Sequence, residues 1–421
     1  MSARADTLFK PQRINKSILS DDDVKEVLIN VYPSIFSAEQ FADGSACLLC
    51  CGVNDTYKIS IADNNYIYRI YTHQWKTKEA ILAEIGVIND LKEELDMAHY
   101  PINTESGKWI TGIEMPEGTR YGVLLSYVAG NMTACTLETS YLIGQQLALL
   151  HDAFDEQTYR DDLHIYNEGS LIKKPFATIL KAMQTSRNGS IEQLKKCTSA
   201  ISALPMPRLS RTAYGLCHGD AHFNNTVIST GGKIEFIDFD LCGYGARTYD
   251  LATLMWKIEL RTDTRAQKSR MQLALLRGYE HVRELTDEEK KSIPTFVAWR
   301  HIFWMGAQAK LLPNLYGYLL LSNDYYKTHL GWLENWIAQG HSDCTKMILS
   351  GDLQLQPNDT VSITDLQIEW WQKQRTGLIT RLIREASLQR DVMHFAHLHS
   401  EDNLVQAVNI AESSAHLTNA I

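Results

Sequence analysis

The chain has 421 residues, 44% hydrophobic and 22% charged, with a formal net charge of -9 at pH 7. That is an ordinary globular composition, long enough for two lobes, and its acidic balance argues against a non-specific binder of nucleic acid or anionic membranes. No apolar run approaches the roughly 18 to 20 residues of a membrane span, and the start lacks a secretory layout, so a cytoplasmic address is expected.

Residues 1–20 read as a loose leader. Ser20-Asp21-Asp22-Asp23 is an N-cap with an acidic first turn, and Val24, Val27, Leu28 and Val31 repeat at helical spacing until Tyr32-Pro33, which predicts a docking helix. From 41 to 71 the pattern is strand, turn, strand, turn, strand. Gly52-Val53-Asn54-Asp55 lies between two of these strands, where a glycine and small polar residues let backbone N–H groups approach phosphates. The flanking Cys47, Cys50 and Cys51 are read as buried strand cysteines rather than half of a zinc site, because no second pair of ligands completes one. All eight cysteines are scattered along the chain, a pattern of reduced thiols.

Tyr66 to Tyr71 alternates with period two, which puts Arg69 on the face opposite Tyr68 and Ile70. A helix follows from about Lys76 to Leu95, with Glu84 beside the apolar side formed by Ile81, Leu82, Ile85 and Ile88. Tyr121 to Gly130 is an apolar strand ending in glycine. Thr136 caps a helix running to about Asp152, and a further helical stretch is expected near 175–203.

Cys217-His218-Gly219-Asp220-Ala221-His222-Phe223-Asn224-Asn225, followed by Ile237-Asp238-Phe239-Asp240, is the most informative stretch. Thr226 to Ser229 and Lys233 to Ile237 flank Thr230-Gly231-Gly232, a hairpin signal that folds Asp238 back towards Asn225. A transferred phosphoryl group needs metal ions and a positioned acceptor more than covalent help. Asp220 is a carboxylate that can orient an acceptor hydroxyl, and Asn225 and Asp238 offer amide and anionic oxygens suited to hard Mg2+.

At these residues the chain resembles the aminoglycoside phosphotransferase and choline kinase family, whose catalytic loop reads H-G-D-x-H-x-x-N. Gly243 to Ala252 looks like that family's G-x-G-x-x-x-Y-D-L-A run, in which Asp250 caps a helix and supports the loop. The resemblance covers roughly 40–340. It implies an α+β, bilobal, protein-kinase-like fold, with an antiparallel sheet and helix in the N-lobe and a largely helical C-lobe. It implies Asp220 and His222 as catalytic residues, Asn225 and Asp238 as metal ligands, and Gly52 and Asn54 in the loop over the nucleotide. Arg69 is then the phosphate-binding cation with Glu84 as its partner, and backbone around Ser126 to Val128 receives the purine edge. Arg69 stands where protein kinases have lysine, and Asp240 where they have the glycine of D-F-G.

After Asp250, helices are predicted over 250–260, 266–284, 287–312 and 322–338. Trp299, Trp304, Tyr316, Tyr325, Trp332 and Trp336 fall on them, and one or two of these are expected at an acceptor pocket. A polar linker over 351–364 and helices over 363–398 and 401–416 lie beyond the resemblance, with His394, His397 and His399 on the first of them. The expected organisation is a leader and docking helix (1–40), a nucleotide-binding lobe and hinge (41–130), a catalytic and acceptor-binding lobe (131–345) and a helical extension (346–421). The expected activity is phosphoryl transfer from ATP or GTP with Mg2+ to a hydroxyl of a small, amine-bearing molecule, namely an amino sugar, amino alcohol or amino acid. No nucleic-acid or membrane partner is expected, and the sequence leaves the oligomeric state open. Two alternatives are a kinase of protein hydroxyls, for which residues 240–250 leave little room for an activation segment, and a non-catalytic nucleotide-binding scaffold.

Overall fold

The computed structural model describes residues 14–229 and 231–351. The tail helices, their histidines, the polar linker and most of the leader lie outside the described residues. The first helix, α1 (Asp21–Val31), opens as its sequence predicts. The Ser20 hydroxyl accepts from the Asp23 N–H at 3.1 Å while the Asp23 carboxylate accepts from the Ser20 N–H at 3.4 Å, so two orphan donors are satisfied reciprocally.

A single turn, α2 (Gln40–Asp43), leads into β1 (Ser45–Cys51), β2 (Asp55–Ile61) and β3 (Asn64–Ile70), which pair antiparallel. Helix α3 (Lys78–Leu95) comes next, then β4 (Pro101–Ile102), β5 (Ile110–Met115) and β6 (Gly118–Ser126). The sheet order is β1-β2-β3-β6-β4, with β5 also on β6. Two helices sandwich this sheet. Val24 and Leu28 of α1 pack on Tyr57, Ile59, Tyr68 and Ile70, which leaves Arg69 on the α3 side, as alternation requires.

Three expectations need correction here. Cys47 and Cys50 are exposed and Cys51 half-buried, because β1 is an edge strand whose outer face no helix covers. Helix α3 starts after Lys76, because the Thr77 hydroxyl accepts from the Ala80 N–H at 3.1 Å and fixes the N-cap there. The strand expected over 121–130 ends at Ser126, and β7 (Gly130–Met132) is a separate strand that joins a second sheet.

The helical half begins with α4 (Leu137–Asp155), capped by Thr136 as predicted. After β8 (His164–Ile165), the helix expected over 175–203 is two helices, α5 (Lys174–Ser186) and α6 (Ile191–Ser202). Arg187 and Gly189 take φ of 58° and 77°, a left-handed turn that ends α5. Then come β9 (Tyr214–Cys217), the hairpin β10 (Thr226–Ser229) and β11 (Ile234–Phe236), and β12 (Gly243–Ala246). Five helices finish the described chain: α7 (Thr248–Glu259), α8 (Arg265–Glu280), α9 (Asp287–Tyr316), α10 (Asn323–Asn335) and α11 (His341–Ser350). One apolar core runs from α3 through α4, α5, α7, α8 and α9. It bonds the sheet layer to the helical layer and holds the loops at their junction. The expected α+β class is the one observed, and among the described residues no helix is long and apolar enough to cross a membrane.

Candidate active site

The hairpin does what its turn chemistry predicts. Thr226 pairs with Phe236, and the Ile237 N–H donates to the Asn225 carbonyl at 2.9 Å. That bond sets Asp238 beside the end of the H-G-D-x-H loop. Asp238 itself sits at φ 65°, ψ 65°, a left-handed conformation that turns the chain sharply into Phe239-Asp240.

The loop 218–222 is held from beneath by Asp250. This fully buried carboxylate accepts from the backbone N–H of His218 at 2.7 Å and of Gly219 at 2.8 Å. The Nε2 of His151 donates to it at 3.1 Å, and the Tyr279 hydroxyl donates to His151 Nδ1 at 2.8 Å. Burial pushes the His151 imidazole below its ordinary value, against the pull of Asp250, so it serves as a neutral link. Loop support by Asp250 and a structural His151 are both observed. Asp250 lies in the first turn of α7 rather than at its cap, which is Arg247. Gly219 has φ 79°, and a β-carbon there would collide with the Leu241 carbonyl and the Tyr166 hydroxyl, so the loop requires glycine.

Above this support, Asp220 and His222 face a cavity of about 530 Å3. The Nε2 of His222 is 3.6 Å from Asp220 Oδ2, and burial, with Arg300 and Lys257 nearby, depresses the imidazole's affinity for a proton against the attraction of Asp220. Asn225 Nδ2 donates to the Asp220 carbonyl at 3.0 Å and carboxylate at 3.1 Å, which leaves Oδ1 as the atom of Asn225 able to take a cation. The sequence did not reveal the strongest partner of Asp220. Arg300 of α9, 3% exposed, ion-pairs with Asp220 through Nη2 and donates from Nη1 to the Gly219 carbonyl at 3.1 Å. Buried though it is, its charge is strengthened by Asp220 and Tyr249.

On the sheet side, Arg69 Nη2 is 3.1 Å from Asp238 Oδ1 and Nη1 is 3.5 Å from Glu84 Oε1. Burial disfavours both charges, yet the pair prevails. Asp238 and Glu84 raise the guanidinium's proton affinity, and Arg69 holds the Asp238 carboxyl below its usual range. Glu84 is fully buried, and its closest cation is Lys76, whose Nζ lies 2.6 Å from Oε2 and donates to the Asp240 carbonyl at 2.7 Å. Tyr71 completes the set, its hydroxyl donating to Glu84 at 2.7 Å. Lys76 thus ties α3 to the segment after Asp238. The corrected start of α3 makes this reach possible.

Asp240 is nine-tenths buried, and its Oδ1 has no hydrogen-bond partner. Burial, against Lys76 at 3.6 Å, raises its carboxyl to about 6, and Glu84 and Asp238 push the same way. An orphaned carboxylate oxygen, the half-exposed Asp238 carboxylate and the Asn225 amide oxygen are a donor set of the hard, oxygen-only kind that Mg2+ takes. The residues present therefore fit a divalent cation.

Gly52 and Asn54 line the same cavity. Asn54 Oδ1 accepts from the Thr72 N–H at 3.2 Å, which pins the β1–β2 turn to the end of β3. Gly52 needs no special backbone angle, and a β-carbon there would meet only Cys50 Sγ at 3.4 Å. Ser126 and Val128 are not among the residues lining this cavity. The Ser126 N–H is already committed to the Tyr100 carbonyl at 2.9 Å. Of the aromatic residues named from sequence, Trp304 lines the cavity, while Trp336 is buried and stacks on Trp332 at 5.5 Å.

The family described as "Phosphotransferase enzyme family" matches residues 53–285. An uncharacterized protein of Deinococcus radiodurans is 27% identical over 294 residues, covering 69% of this chain and 84% of its own. Another from Synechocystis is 26% identical over 302 residues, 69% of this chain and 79% of its own. Among solved structures, an amicoumacin kinase in complex with AMP-PNP, Ca2+ and Ami superposes with a TM-score of 0.60 at 19% identity, covering 76% of this chain and 94% of its own. A microcompartment-associated aminopropanol kinase gives 0.54 at 17%, covering 80% and 100%, and a choline kinase of Cryptosporidium parvum gives 0.51 at 12%, covering 78% and 99%. These likenesses establish the fold.

Proposed function

The chain belongs to the phosphotransferase enzyme family, and from that premise we propose that it transfers the γ-phosphoryl group of ATP to a hydroxyl of a small, amine-bearing acceptor. The observation that carries this reading is the convergence of Asp220, Asp238 and Arg69 on one cavity, with Asp220 and Asp238 on loops fixed by Asp250 and by the Asn225–Ile237 bond. Arg69 offers phosphate oxygens a planar fork of donors, and Glu84 keeps that fork oriented. Asp220, aimed by Arg300 and Asn225, accepts the hydrogen bond of the acceptor hydroxyl and holds it in line. His222 borders the same carboxylate and shapes where the hydroxyl sits. Asn225, Asp238 and Asp240 would hold Mg2+, which when bound neutralises charge on the phosphates. Gly52 and Asn54 border the part of the cavity that the nucleotide would take.

The amine in this reading is supported by the named substrates of the structural relatives, amicoumacin, aminopropanol and choline, and by the net acidity of the chain. The test is a screen of amino alcohols, amino sugars and amino acids for stimulated ADP release from ATP, or GDP release from GTP, with Mg2+ present. Stimulated release is the expected result. No stimulation by any acceptor, together with no Mg2+-dependent binding of AMP-PNP, would overturn the proposal.

A further inference from the structure

The ionic lining of the cavity is uneven once its internal pairs are subtracted. Asp220 is paired with Arg300, Asp238 with Arg69, and Asp240 lies 3.6 Å from Lys76. Lys174, Lys257 and Lys310 then remain on the wall, and among the described residues none of the three has an ion-pair partner within 4.0 Å, while Asp162 is the remaining acid of the lining. Lys257 stands near enough to His222 to oppose its protonation. Lys310 lies over the Trp75 ring at 3.9 Å.

A further observation places a ligand group at the Asp220 end. Arg300 lies over Trp256 at 5.2 Å and Phe303 at 5.5 Å, a stacked, desolvated guanidinium whose Nε has no hydrogen-bond partner. A buried donor without an acceptor is costly, and Arg300 borders the cavity. Cations on the rim and an unused guanidinium donor at the base recognise an oxyanion.

We propose that the acceptor carries, besides the hydroxyl that is phosphorylated, an oxyanion group, a carboxylate or phosphate, held by Lys257 and by Arg300 at the Asp220 end of the cavity. This rests on the kinase reading above and narrows it. An amino acid or another hydroxylated acid meets both conditions, its amine facing Asp162, whereas a purely cationic acceptor leaves Lys174, Lys257 and Lys310 opposed to its charge.

The experiment uses matched acceptors that differ by the oxyanion alone: L-serine against ethanolamine, D-glycerate against glycerol, and glycerol 3-phosphate against glycerol. ADP release is measured with saturating Mg–ATP, and AMP-PNP binding with Mg2+ is measured separately by calorimetry. At least one oxyanion-bearing member should exceed its partner about tenfold or more in kcat/KM, on the scale of one charge-assisted hydrogen bond. The carboxylate and phosphate arms show which source supplies it. Lys257→Met should raise KM for that acceptor about tenfold, with AMP-PNP affinity within about twofold of wild type. Stimulation by ethanolamine or glycerol alone, stimulation by none of the panel, or an unchanged KM in Lys257→Met overturns the proposal. Failure of wild-type protein to bind AMP-PNP with Mg2+ would instead overturn the kinase reading.

Discussion

Replacing Asp250 with asparagine perturbs the site without touching the cavity. The carboxylate accepts two backbone N–H groups, from His218 at 2.7 Å and Gly219 at 2.8 Å, in a fully buried position. Asparagine keeps the shape but has one acceptor oxygen and one N–H2 group, so one of the two backbone donors must face another donor. Bonds to a charged acceptor contribute about 1.5–3 kcal/mol and a stranded buried donor costs about 1–3 kcal/mol, so a loss of about 2–4 kcal/mol is expected. The assay is urea unfolding followed by tryptophan fluorescence, read as a lower midpoint at unchanged slope. Turnover, measured where the variant remains folded, should fall as well, because the loop that carries Asp220 loses its anchor. A loss below about 1 kcal/mol, a value ordinary for surface substitutions, would refute the claim that Asp250 bears the loop.

Three other outcomes follow from the same geometry. Asp220→Asn, which keeps the side-chain shape beside Arg300, should lower kcat by several orders of magnitude while AMP-PNP affinity by calorimetry is retained; near-normal turnover would remove Asp220 from catalysis. Lys76→Met leaves Glu84 without its closest cation and should cost about 3 kcal/mol in urea unfolding, with the Lys76→Met/Glu84→Gln double variant losing less than the sum of the singles; additive losses would show the two are uncoupled. His99 is 4% exposed and is depressed to about 4 by burial and by Arg69. The unfolded chain therefore binds a proton below about pH 6.5 that the folded chain refuses, so this residue's stabilisation is complete above that pH and is lost as pH falls towards 4. The loss amounts to about 2.5 kcal/mol between pH 7 and pH 4.5. Urea midpoints at these two pH values should converge in His99→Gln, and an unchanged pH difference would sink the assignment.

What the sequence determined on its own was local. The H-G-D-x-H loop, the glycine turn and the I-D-F strand end lie within about twenty residues, and hairpin pairing brings Asn225 and Asp238 together whatever the rest of the chain does. Period-two alternation was enough to put Arg69 on the inner face, and helical periodicity to aim Glu84 at it, because both rules act over a few residues. Tertiary structure decided the rest. Lys76 reaches Asp240 across 164 positions and Arg300 reaches Asp220 across 80, and neither stands in a motif. Lys76 lies in an unpatterned turn, and its role depends on where Thr77 starts the helix. Arg300 sits mid-helix among aromatic residues that read as plain core, and only the packing of α9 against α7 aims it at the loop. The charge of the cavity was hidden for the same reason: a net charge sums the whole chain, whereas a ligand meets only the side chains that folding leaves unpaired on one wall.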